Sequence, residues 1–122
     1  GPGEDKAEAV AEARRTLERL GLGGALPDPA GRKHADLRPT GFVTDTLECA
    51  LWAFLEGRGF EACLVLAVNL GGDADTIGAV CGALAGAWYG APRIPARWLE
   101  VLDRRRELET AANRLFQRIG RT

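Results

Sequence analysis

The sequence predicts an all-α fold, and three observations carry the prediction. Apolar residues recur at helical spacing along most of the chain. No stretch alternates apolar and polar residues as a half-buried strand would. Glycines and prolines cluster where those helical patterns stop. Composition agrees with a packed core: of 122 residues, 46% are hydrophobic and 27% charged, enough apolar side chain to exclude disorder. Sixteen Lys and Arg stand against seventeen Asp and Glu, for a net charge of −1. Such a chain has no bulk attraction for nucleic acid or an anionic membrane, so no partner of either kind is expected.

The first element is an amphipathic helix over residues 5–20, in which Val10, Ala13, Leu17 and Leu20 make the apolar stripe and Gly21 supplies a left-handed cap. Residues 21–41 follow as a connector. Gly21, Gly23, Gly24, Pro27, Pro29, Gly31, Pro39 and Gly41 leave no room there for a regular element. The expected organisation is therefore a helix and connector over 1–40, then a helical region over 41–122. The second helix runs from about Thr44 to Glu56, with Leu47, Ala50, Leu51, Phe54 and Leu55 inward and Gly57 and Gly59 ending it. The third runs from about Phe60 to Asn69. Residues 62–68 are apolar on every side, which predicts a helix buried all round.

A fourth helix closes at about Tyr89, before Gly90 and Pro92. Gly78, Gly82 and Gly86 recur every four residues with Ala79, Ala83 and Ala87 beside them. Each helical glycine costs roughly 1 kcal/mol relative to alanine. Three in register predict a central helix with another backbone lying close against it. Pro95 starts a short helix, and a last one continues to about Ile119. Val101, Leu102, Arg105, Leu108, Ala112, Leu115 and Phe116 give that stretch one apolar face. The all-apolar third helix and the small-residue stripe of the fourth need neighbours on every side, so an exposed apolar patch is expected there, covered by self-association or by a partner.

The longest weakly polar run, residues 77–90, is too short to span a bilayer, which takes roughly 20 residues. No secretory signal is legible at the N-terminus. Cys49, Cys63 and Cys81 are odd in number, form no CxxC pair and sit in apolar helical patterns. They read as buried core thiols of a reducing, cytoplasmic protein. The single histidine, His34, lies in a polar stretch and reads as a solvated loop residue, which leaves no base for a cysteine nucleophile.

The chemistry concentrates at Gly71-Gly72-Asp73-Ala74-Asp75-Thr76, at the mouth of the fourth helix. Two aspartates two residues apart point about 200° away from each other on a regular helix. They converge only if one lies in the preceding loop, a path that the paired glycines permit. Converged, Asp73, Asp75 and Thr76 are hard oxygen donors suited to Mg²⁺, Mn²⁺ or Ca²⁺. The alternative is plain helix capping by an N-terminal aspartate. A calcium EF-hand does not fit, because its later acidic positions fall on Ile77 and Leu84. A phosphate loop does not fit either, because no lysine follows the glycines.

The run GGDADTIGAVCGALAGAWYG (residues 71–90) resembles the C-terminal signature of the ADP-ribosylglycohydrolase family. The segments GFVTDTLECALWAFL (41–55) and IPARWL (94–99) resemble the stretches on either side of it. The resemblance covers about residues 40–103, the last third of such proteins. It implies the C-terminal part of an all-α bundle that holds two Mg²⁺ ions, with Mn²⁺ as the alternative. It also implies hydrolysis of the glycosidic bond between ADP-ribose and a protein side chain. By the same resemblance Asp73, Asp75 and Thr76 are metal ligands, and Gly71, Gly72, Gly41 and Phe42 lie near the substrate, an ADP-ribosylated protein or ADP-ribose. The family's N-terminal motifs, with the remaining ligands and the acidic catalytic partner, have no counterpart in these residues. A complementary N-terminal segment is therefore implied, and this chain is expected to supply half of the site. The competing reading is a helical module that keeps the fold without catalysis, in a structural or interaction role.

Overall fold

A computed structural model describes residues 2–21, 32–37 and 43–119. The described residues are helical, with no strand: α1 (Pro2–Arg19), α2 (Val43–Glu56), α3 (Phe60–Asn69), α4 (Ala74–Tyr89), α5 (Ala96–Val101) and α6 (Arg105–Ile119), with short 3-10 turns at His34–Asp36 and Ala91–Arg93. None of these helices is long and apolar enough to cross a membrane.

The core lies between α2, α3 and α4. Cys49, Ala50 and Ala53 from α2, Cys63 and Ala67 from α3, and Ile77, Cys81 and Ala85 from α4 are fully buried. Small residues dominate that list, and they let the three helices approach closely. The three cysteines belong to it as free thiols. Burial pushes the Cys81 thiol up to about 12; nearby Cys63 adds to the shift and Lys6 opposes it.

The glycine repeat of α4 has a different cause from the one expected. Gly78, Gly82 and Gly86 face Val68, Leu64 and Phe60 in turn, a ridge of α3 side chains at the same four-residue spacing. The neighbour is thus a row of side chains and not a second backbone. Only Gly78 is tight, where an added Cβ would come within 3.1 Å of Val68; at Gly82 and Gly86 the gap is 3.6 and 4.0 Å. The close backbone approach occurs elsewhere. At Gly57 a Cβ would sit 2.6 Å from both Cα and N of Cys63, which fixes the α2–α3 corner as glycine.

α3 is not buried all round, because Val65 and Val68 are exposed. Ala79, Ala83 and Ala87 form an exposed side of α4. The connector holds one regular element after all. The His34–Asp36 turn folds onto α2, where the Trp52 indole N–H donates to the Arg32 carbonyl at 3.2 Å, Arg32 pairs with Glu48, and Leu37 is buried. His34 is exposed, with its ring edge against Trp52.

α1 meets the core through a residue whose charge hid its role. Lys6 is fully buried. Its ammonium donates to the carbonyls of Phe54 at 2.6 Å and Gly57 at 2.8 Å, where α2 ends, and lies over the rings of Phe54 and Tyr89. A cation at the C-terminal end of a helix is well placed against its dipole. Along the rest of α1 the apolar stripe is only partly covered: Val10 and Leu17 are half-buried, Ala13 and Leu20 exposed. Gly21 ends the helix in the expected left-handed conformation, at φ 78°.

At the end of α4, Tyr89 pins the α2–α3 corner: its hydroxyl accepts from the Gly59 amide at 3.0 Å and donates to the Gly57 carbonyl at 3.4 Å. α5 follows Pro95 and is held by Trp98 against Phe60 and by an Arg97–Glu61 ion pair. The apolar series from Val101 to Phe116 is not one helix. The chain leaves helical geometry at Leu102, and Arg104 adopts φ 56°, left-handed for a residue with a side chain. Every residue of α6 is exposed.

Candidate metal centre

α3 ends at Asn69, and two consecutive glycines turn the chain into α4. Gly71 has φ 79° and Gly72 φ 58°, a left-handed pair that side chains disfavour. The turn leaves Asp73 one residue ahead of the first helical residue, Ala74, with φ −81° and ψ 55°. Asp75 lies inside the first turn. The offset between loop and helix overcomes the angular separation that a regular helix would impose on them.

The side chains gather on one side of that turn. The Thr76 hydroxyl donates to Asp73 Oδ1 at 3.0 Å. The Thr76 amide donates to Asp75 Oδ1, also at 3.0 Å. The side-chain contact of Asp75 with Asp73 and, after that, the Thr76 amide hold the Asp75 carboxyl below its ordinary value. Asp73 stands in the N-cap position but makes no capping bond to the backbone amides of the first turn. Its carboxylate accepts from the Thr76 side chain instead, unlike an ordinary aspartate cap. Asp73 is half-buried, whereas Asp75, Thr76, Gly71 and Gly72 are exposed.

Thus the structure brings Asp73, Asp75 and Thr76 together, with Gly71 and Gly72 next to them on the same turn. Gly41 and Phe42 lie outside the described residues. The oxygen set is small. Among the described residues no group of three or more His, Cys, Asp or Glu side chains is placed to hold a metal ion. Two carboxylates and a hydroxyl are hard donors of the type that binds Mg²⁺ or Mn²⁺, and they are exposed enough to receive further ligands from outside.

Comparison with known proteins places this geometry in context. The chain matches the model of a family described as ADP-ribosylglycohydrolase over residues 2–122. It is 36% identical over 116 residues to an ADP-ribosylarginine hydrolase Tri1 of Pseudomonas putida (strain GB-1), covering 95% of this chain and 31% of that protein. It is 46% identical over 68 residues to an ADP-ribosyl-[dinitrogen reductase] glycohydrolase of Rhodospirillum rubrum, covering 56% of this chain and 23% of the relative. An ADP-ribosylhydrolase ARH3 of Homo sapiens is 38% identical over 64 residues, half of this chain and 18% of that protein. The chain therefore spans between about a fifth and a third of the length of these relatives.

Proposed function

The chain belongs to the ADP-ribosylglycohydrolase family, and from that premise we propose that it takes part in hydrolysing the bond between ADP-ribose and a protein side chain. Its contribution is half of a dinuclear Mg²⁺ site, with Mn²⁺ as the alternative ion. Three relatives are named as an ADP-ribosylarginine hydrolase, an ADP-ribosyl-[dinitrogen reductase] glycohydrolase and an ADP-ribosylhydrolase. The observation that carries the metal reading is the convergence of Asp73, Asp75 and Thr76 at one helix mouth. Two carboxylates in contact repel each other when both are ionised, and a hard cation between them relieves that repulsion.

In this reading Asp73 and Asp75 hold the metal through carboxylate oxygens and Thr76 through its hydroxyl. A bound divalent ion supplies Lewis-acid charge near a sugar centre that becomes oxocarbenium-like in the transition state. The protein's own part is positioning. The left-handed glycine pair keeps the backbone thin on the substrate side, and the hydrogen bonds of Thr76 fix both carboxyl groups before anything binds. Two carboxylates are too little charge for two dications, so activity requires a complementary segment that brings the other ligands and an acidic catalytic group. The free, buried thiols suit a reducing compartment such as the cytoplasm.

Calorimetric titration with Mg²⁺ and with Mn²⁺ tests the site. The chain is expected to bind weakly and Asp75→Ala at least tenfold more weakly still. Equal heats for the two proteins would refute the metal assignment. The small number of carboxylates also favours a second reading, a non-catalytic helical module, and absence of any metal-dependent change would support it. Rapid hydrolysis of an ADP-ribosylated arginine peptide by this chain alone with Mg²⁺ would refute the need for a complementary segment.

A further inference from the structure

A buried amine and a buried thiol lie side by side away from the Asp73 turn. Lys6 of α1 and Cys63 of α3, 57 residues apart in sequence, are both fully buried. Lys6 Nζ stands 3.6 Å from Cys63 Sγ. The two groups share their acceptors. The ammonium donates to the carbonyls of Phe54 and Gly57, and the Cys63 thiol faces the same two oxygens at 3.5 and 3.6 Å. Two acceptors in common hold nitrogen and sulfur next to each other. The rings of Phe54 and Tyr89, each centred 4.6 Å from Nζ, line the same space with carbon. An ammonium against a thiol is one of the surroundings that make a cysteine reactive. The neighbouring Cys81, whose thiol donates to the Cys63 carbonyl at 3.5 Å, is the poorer nucleophile, because burial keeps it neutral up to about 12.

We propose that Lys6 and Cys63 are a modification site, at which hydrogen peroxide drives formation of a covalent Nζ–Sγ sulfenamide that staples α1 to the α2–α3 corner. The chemistry takes two steps. Peroxide first oxidises the Cys63 thiol to a sulfenic acid: the O–O bond breaks, an S–O bond forms, sulfur gives up two electrons and one water leaves. Lys6 Nζ then attacks that sulfur. The N–S bond forms, the S–O bond breaks, and the departing hydroxyl takes one N–H proton and leaves as a second water. The remaining ammonium proton passes to solvent. One ammonium, one thiol and one peroxide thus give one sulfenamide, two waters and one proton. Peroxide is little larger than water and reaches buried sulfur through packing fluctuations, whereas bulky alkylating reagents do not. The amine is already in place when the sulfenic acid forms, so condensation outruns further oxidation to the sulfinic acid. A thiol reductant reverses the link, so that the staple stays open in a reducing compartment and closes under peroxide. What it secures is the weak join of the fold, since the apolar stripe of α1 is only partly covered and Lys6 anchors the helix.

The test is mass spectrometry of the folded 122-residue chain after exposure to excess hydrogen peroxide at neutral pH. The intact mass is expected to fall by two hydrogen atoms and to return with dithiothreitol. Trypsin should no longer cleave after Lys6, and the peptide carrying Lys6 should appear joined to the one carrying Cys63. The linked chain should melt about 5–10 °C higher than the parent, because the link closes a long loop, and dithiothreitol should abolish that gain. Cys63→Ser, which is nearly isosteric, should give no product, and circular dichroism checks that it remains folded. Cys81→Ala and Cys49→Ala should give the product in full, which separates it from a Cys63–Cys81 disulfide of the same mass. Asp75→Ala should also give it in full, so the outcome is independent of the metal reading. An unchanged mass in the parent chain overturns the proposal. So does a sulfinic acid on Cys63 with Lys6 still cleavable, and so does a product that is lost in Cys81→Ala.

Discussion

At the scale of single residues, position on a helical stripe tells more than residue type. Lys6 shares a stripe with Val10, Ala13 and Leu17 at spacings of 4, 3 and 4. That spacing was legible, but a lysine on an apolar stripe reads as a solvated residue until the carbonyls of Phe54 and Gly57 are seen around it. Replacing it by an apolar side chain of similar length leaves those carbonyls with weaker donors, the Cys63 thiol and the Tyr89 hydroxyl. Lys6→Met is therefore expected to destabilise the fold by about 1–3 kcal/mol, measured by urea unfolding. The cysteines met their sequence expectation as core residues. Because burial holds the Cys81 thiol neutral up to about 12, the stabilisation from that neutral form is complete at pH below the thiol's unfolded value. It is lost as pH rises from about 8.5 towards that higher value. Alkaline unfolding should show this decline and Cys81→Ala should flatten it, with no native thiol alkylated at pH 8. Asp73 and Asp75 were recognisable as candidates from their spacing. Their convergence depended on the loop, because the backbone angles at Gly71 and Gly72 decide on which side of the helix mouth Asp73 emerges.

At the scale of elements, the helical spans were readable because each is bounded by a residue with a physical stop signal: Gly21, Gly57, Gly90 and Pro95. What faces each span was less readable. Three glycines in register announce a close neighbour but do not say whether it is backbone or side chain. The neighbour is the ridge of Phe60, Leu64 and Val68, and it is tight at only one of the three positions. This sorts the glycines by experiment. Gly82→Ala is expected to raise stability by about 0.5–1 kcal/mol through helix propensity and reduced unfolded-chain entropy. Gly78→Ala should gain less, since Val68 must yield and β-branched side chains are stiff in helices. Gly57→Ala should lower the melting temperature most of all, because Cys63 backbone stands where the methyl group would go. The last apolar series misled for a similar reason. Val101 and Leu102 continue the period of α6 in sequence, while the left-handed Arg104 separates them from it in space.

At the scale of the whole molecule, the core is small and lies to one side. α2, α3 and α4 enclose it, α1 is joined to it by Lys6, and the residues of α6 are exposed. Truncation before Arg105 is therefore expected to leave the melting temperature within a few degrees of the parent and to reduce binding of a hydrophobic dye, both measurable by thermal scanning fluorimetry and titration. A large loss of melting temperature would mean that α6 packs on the core. The sequence by itself determined the helical class, most of the helix ends and the buried thiols, because helical period and glycine and proline stops are local properties. Only the tertiary structure decided that Lys6 is a core residue, that the α4 glycines meet side chains, and that the apolar residues of α6 are exposed. These are matters of which surface meets which. A stripe on one helix specifies that a neighbour is needed, while the neighbour's identity follows from the summed packing of elements distant along the chain.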